Sequence, residues 1–90
     1  MPKSSRIQTI LRYIAANVRR LRTARGWTQA ELAKASGRDV RHIQILETGD
    51  ANPTVKVLVT VADALGVAPS DLFAPAKLEE RPVGRPWPKK

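Results

Sequence analysis

The chain has 90 residues with no cysteine and a single histidine, which removes disulfide frameworks, thiolate metal sites and cysteine nucleophiles and nearly excludes metal chemistry. Aromatic residues make up 4% against 42% hydrophobic, so a core must be packed from Ile, Leu, Val and Ala between helices. A chain of this size buries only about 60% of its unfolded surface, too little for a deep catalytic cavity, and its net charge of +8 points to a polyanionic partner, nucleic acid or an anionic membrane surface.

Helix punctuation is legible along the chain. Residues 7, 10, 11, 14, 18 and 21 are apolar at helical spacing and predict a first helix from about Arg6 to Arg25. Residues 1–25 carry seven basic side chains (Lys3, Arg6, Arg12, Arg19, Arg20, Arg22, Arg25) and no acidic one, so the other face is cationic; Arg19, Arg20 and Arg25 read as a solvated cluster. Gly26 ends this helix. Thr28 with Glu31 forms a capping box, and Trp27 can staple onto Leu32, so a second helix runs from Gln29 to about Ala35. Asp39 is placed to cap a third helix through the amides of Arg41 or His42, and Gly49 closes it. Thr54 caps a fourth helix reaching Leu65, with Val55, Leu58, Val61, Ala62 and Leu65 inward. "VAPSDLF" starts a short fifth helix with Pro69 in its first turn.

Domain limits follow: an extension of helix one over residues 1–13, a compact all-α five-helix bundle over 14–74, and a basic, proline-rich tail over 75–90 that is expected to be disordered. In the tail "VGRP" partially matches the Gly-Arg-Pro core of an AT-hook, but no basic residue precedes the glycine and Trp87 is bulky for a minor groove, so a nonspecific electrostatic arm is the preferred reading. No apolar run approaches the roughly 20 residues of a membrane span. The acid-free start runs directly into periodic sequence, which argues against a targeting peptide. A cytoplasmic protein with no cofactor and no separate effector domain is expected.

Helices two and three are joined only by Ser36, Gly37 and Arg38, too short for an antiparallel return, so the pair should cross steeply as a helix-turn-helix. On the third helix Ile43 and Leu46 turn inward, while Arg41, Gln44, Ile45 and Thr48 share the opposite face. In a major groove an arginine binds guanine through two parallel hydrogen bonds, a glutamine pairs with adenine, and an aliphatic side chain touches a thymine methyl. Arg41, Gln44, and Val40 with Ile45 supply those functions, and double-stranded DNA is the expected partner. His42 has no second ligand or nucleophile near it in sequence, so a phosphate contact or a surface role is favoured.

The stretches "RRLRTARGWTQAELAKASG", "RDVRHIQILETG" and "ANPTVKVLVTVADALGV" resemble the Cro and C1-repressor (XRE-type) helix-turn-helix family, from about Ile14 to Phe73. The resemblance implies the lambda-repressor-like bundle, base contacts from positions matching Val40, Arg41 and Ile45 with Gln44 close by, and a phosphate on Gln29 at the amino end of helix two. It also implies backbone contacts from Thr48, Asn52 and Lys56, to which Thr28, Arg38 and His42 are added, and a structural ion pair between Arg22 and Glu47. Two positions depart from the family: Gln44 is more often small and Val40 more often polar. Residues 1–13 have no counterpart, so Ile7, Ile10 and Leu11 need either the domain's own core or a second subunit.

The expected function is a sequence-specific transcriptional regulator, a repressor or autoregulator acting as a homodimer on an inverted repeat. The alternative is an antitoxin or bridging module that mainly contacts protein, a toxin or the transcription machinery, with secondary DNA binding. No carboxylate pair with a nucleophile, phosphate-cradling glycine loop or metal spacing supports an enzyme.

Overall fold

The computed structural model describes residues 3–76, so the tail's AT-hook-like segment and Trp87 lie outside the described residues. The order is α1 (Lys3–Ala24), α2 (Gln29–Ser36), α3 (Val40–Leu46), α4 (Val55–Leu65) and a 3-10 turn (Pro69–Phe73). No strand occurs among the described residues. The bundle therefore has four α-helices, and the expected fifth is a single tight turn. It spans only five residues, Pro69 stands in its first turn, and the Asp71 carboxylate accepts the Ala68 amide at 3.0 Å to cap its start.

Each break has a chemical cause. The Thr28 hydroxyl accepts the Glu31 amide at 3.0 Å while the Glu31 carboxylate accepts the Thr28 amide at 2.7 Å, the reciprocal box expected at the start of α2. At the end of α2 the chain turns through Gly37 at φ +72, and the Arg38 amide donates to Ala33 O at 2.8 Å and the Gly37 amide to Lys34 O at 3.3 Å. Thr54 caps α4 by accepting the Val57 amide at 3.2 Å. Asp39 differs from expectation. It takes the extended cap conformation, but its side chain makes no capping bond; its carbonyl accepts from His42 N at 3.0 Å and Ile43 N at 3.3 Å, so backbone alone closes the first turn of α3.

The core is aliphatic. Ile14 and Val18 of α1, Leu32 and Ala33 of α2, Ile43 and Leu46 of α3, Val57, Leu58, Val61, Ala62 and Leu65 of α4, and Leu72 form one buried cluster. Trp27, Ile10 and Leu11 pack on it from the edge, whereas Ile7 is 54% exposed. Val55 is a second correction: it is 74% exposed, and Val57 takes the inward place. The buried stripe of α4 runs through 57, 58, 61, 62 and 65, and Val55 falls about a quarter turn off its centre.

One buried polar residue holds the last turn in place. Asn17 is 2% exposed within the apolar stripe of α1. Its Nδ2 donates to Leu72 O and to Ala74 O, each at 2.9 Å, and its Oδ1 accepts from Arg20 Nη2 at 3.1 Å. The backbone carbonyls at the end of the 3-10 turn are thus satisfied by a side chain from the opposite end of the chain. Asn17→Ala should cost about 2 kcal/mol, because those carbonyls lose their partner under the remaining fold; a urea unfolding series that gave wild-type stability would contradict this role.

Candidate nucleic-acid interface

α2 packs on both α3 and α4, and α1 packs on the 3-10 turn and α4, so α3 stands at one side of the bundle. Ile43 at 0% and Leu46 at 2% exposure anchor its inner face. Val40 at 39% and Ile45 at 46% exposure, with Arg41, Gln44 and Thr48 also exposed, form the outer face, and no other part of the described chain covers it. The residues expected to meet bases are therefore gathered on one uncovered surface two helical turns long.

The expected phosphate set divides. Asn52, in the loop after α3, and Lys56, in the first turn of α4, are exposed, whereas Arg38 and His42 are half-buried, and Arg38 Nε is enclosed without a hydrogen-bond partner. The Thr48 hydroxyl is engaged with backbone, donating to Ile45 O at 2.6 Å and accepting the Asp50 amide at 3.0 Å. Thr28 is exposed, with its hydroxyl accepting in the capping box. Gln29 is half-buried, and its Nε2 donates to Glu47 Oε1 at 3.0 Å.

That last bond belongs to the polar centre of the domain. Arg22 Nε meets Glu47 Oε2 at 2.7 Å and Nη2 meets Oε1 at 3.0 Å, a two-pronged pair with side chains 13% and 5% exposed. Arg22 Nη1 donates to Trp27 O at 2.8 Å. The expected tie between α1 and α3 is present, and it also fixes the α1–α2 connection. The hydrogen bonds that Arg22 donates to Glu47, reinforced by the carboxylate's charge, raise the Arg22 pKa above its already high ordinary value, against burial that lowers it. A raised pKa means that the contribution is complete at lower pH and is lost only as pH climbs past the guanidinium range, so alkaline titration near neutrality leaves the pair intact.

Of the arginines expected to form a solvated cluster, Arg20 and Arg25 are exposed and Arg19 is half-buried, yet each has a partner within the fold. Arg19 Nη2 reaches Glu47 O at 3.4 Å, at the carboxyl end of α3. Arg25 Nε reaches Leu65 O at 3.3 Å, at the carboxyl end of α4, and its guanidinium lies 4.8 Å from the centroid of the Trp27 ring. Cations placed there complement the negative ends of two helix dipoles. Sequence spacing carries no signal for these pairings, which span 28 and 40 residues.

A short helix, a three-residue turn and a second helix with a bare outer face define a helix-turn-helix domain. Residues 18–72 match the helix-turn-helix family HTH_3, and the chain belongs to this Cro/C1-type family of DNA-binding transcription regulators, which are not enzymes. It is 39% identical over 71 residues to the HTH-type transcriptional regulator y4dJ of Sinorhizobium fredii, covering 79% of this chain and 90% of the relative. The crystal structure of the hypothetical transcription factor NHTF from Neisseria is similar at 33% identity and a TM-score of 0.73, over 77% of this chain and 79% of that one. The restriction-modification controller protein C.AhdI from Aeromonas hydrophila is similar at 35% identity and a TM-score of 0.67, over 70% of this chain and 96% of that one. Among the described residues no helix is long and apolar enough to cross a membrane.

Removing the Glu47 carboxylate leaves a largely enclosed guanidinium and a Gln29 donor without their acceptor. Glu47→Ala should therefore cost about 3–5 kcal/mol, a large part of the total for so small a domain. The Arg22→Met, Glu47→Leu double variant should lose less than the two single substitutions added together. Urea midpoints of wild type, Glu47→Ala, the two single variants and the double variant check both statements.

Proposed function

We propose that the chain is a repressor or autoregulator that acts in the cytoplasm and lays α3 in the major groove of an operator as a homodimer. The observation that carries this reading is the face of α3: its inner residues are locked in the core while Val40, Arg41, Gln44 and Ile45 stand outward on a rod held by Glu47. Arg41 reads guanine by a bidentate contact, Gln44 reads adenine, and Val40 and Ile45 meet thymine methyl groups. Gln29 carries two amide hydrogens. One is given to Glu47, which leaves the other for a phosphate at the amino end of α2, beside Thr28, while Arg38 and His42 hold the backbone at the amino end of α3. Thr48, Asn52 and Lys56 hold the backbone beyond the other end of α3.

A homodimer places two such helices about 34 Å apart, one turn of duplex, so the operator is an inverted repeat with closely spaced half-sites. Repression follows from steric exclusion of polymerase. The likeness to a restriction-modification controller protein supports a regulatory rather than an architectural role.

Selection from random duplexes followed by titration tests this. Arg41→Ala should weaken the selected duplex by about 1–3 kcal/mol and relax preference at one base position. Gln29→Ala should weaken selected and scrambled duplexes alike. Unchanged sequence preference in Arg41→Ala, or selection that yields no inverted repeat, would overturn the reading.

A further inference from the structure

We propose that α1 makes a second, sequence-independent contact with DNA, its Arg12 and Arg19 edge gripping the phosphate backbone beside the carboxyl end of α3. The inference rests on the reading of α3 as the groove-entering helix and adds a surface to it. Residues 48–54, which follow α3, are Thr-Gly-Asp-Ala-Asn-Pro-Thr and contain no cation. Asp50 is exposed there, and the end of α3 contributes the negative pole of its dipole. Before Lys56 of α4, the neutral Thr48 and Asn52 are all that this corner offers to the phosphates that flank an inserted helix, and neither brings a positive charge.

α1 supplies the opposite charge. Arg12 and Arg19 are two helical turns apart and therefore on one edge. Arg19 Nη2 is bonded to the carbonyl of Glu47, immediately after α3, at 3.4 Å. Farther toward the amino end, α1 touches the following loop: a Cβ built on Gly49 would stand 3.3 Å from Arg12 Cγ and 3.6 Å from Arg12 Cα. Gly49, at φ +85, lets the loop lie this close. The Arg12 stem thus packs at the start of the loop, on the residue that precedes Asp50. Arg12 precedes residue 18, where the family match begins, so the contact belongs to the amino-terminal part of this chain's helix.

The full chain is titrated onto a duplex recovered by selection and onto a scrambled duplex of equal length, between about 50 and 200 mM salt. Arg12→Gln keeps the Cβ–Cγ stem on Gly49 and removes the charge. The log–log salt slope should become shallower by about 1.8 on both duplexes, about 0.9 for each subunit of the dimer, so that the affinity lost across this range is roughly tenfold smaller, with the ratio between duplexes unchanged. Arg6→Gln, on a different edge of α1, should shift the slope less. Equal shifts for the two variants would mean diffuse charge and would overturn the contact. An unchanged slope in Arg12→Gln, with wild-type protein still preferring the selected duplex, would remove this surface and leave the groove reading standing. If wild-type protein prefers neither duplex, both fall. Should Arg12→Gln lower the urea midpoint, Asp50→Asn decides: it should strengthen both duplexes alike, and no gain would overturn the proposal.

Discussion

Glu47 is an expensive residue in its position. A carboxylate at the carboxyl end of a helix faces the negative pole of the dipole, and at 5% side-chain exposure it is also cut off from water. Two guanidinium bonds from Arg22 and one amide bond from Gln29 offset that cost. Because each partner comes from a different helix, the end of α3 stays where it is only while α1 and α2 keep their own places. The orientation of the outer face of α3 is thus set by a polar junction at one end and by Ile43 and Leu46 beneath it.

Three arginines in and just after the last turns of α1 extend the same logic. Arg19 and Arg25 each end against a terminal carbonyl of another helix, and Arg20 completes the bonding of Asn17. α1 therefore serves the other elements along its length: apolar residues face the core, and guanidinium groups satisfy carbonyls that helix ends leave open. A domain with few aromatic residues gains from such ties, since its aliphatic core is small.

The parts of the fold that sequence reveals are those governed by neighbours along the chain. The Thr28–Glu31 box, the Thr54 cap and the inward Ile43 and Leu46 depend on residues within one or two turns, and each is where periodicity places it. The Arg22–Glu47 pair was legible only through family resemblance. Asn17 had a readable signal, a polar residue in line with Ile14, Val18 and Leu21, but its acceptors lie 55 and 57 residues away. Asp39 and Val55 show the limit from the other side. A residue type suited to a cap and a valine at the start of an apolar run are local preferences, and the backbone of α3 and the centre of the α4 stripe override them. At the interface, the outward face of α3 could be read from spacing, while the engagement of Gln29 and Thr48 with their own chain could not.

α3 has only 7 residues and is about 10 Å long, a span that lies alongside roughly three steps of duplex. An address that short recurs by chance every few dozen to few hundred positions, whereas a genome presents on the order of a million or more competing ones. Information on that scale has to be gathered by several readers acting at once or by stiffness of the helix between them. The brevity of this single element therefore sets an upper limit on how selective one copy of the fold can be.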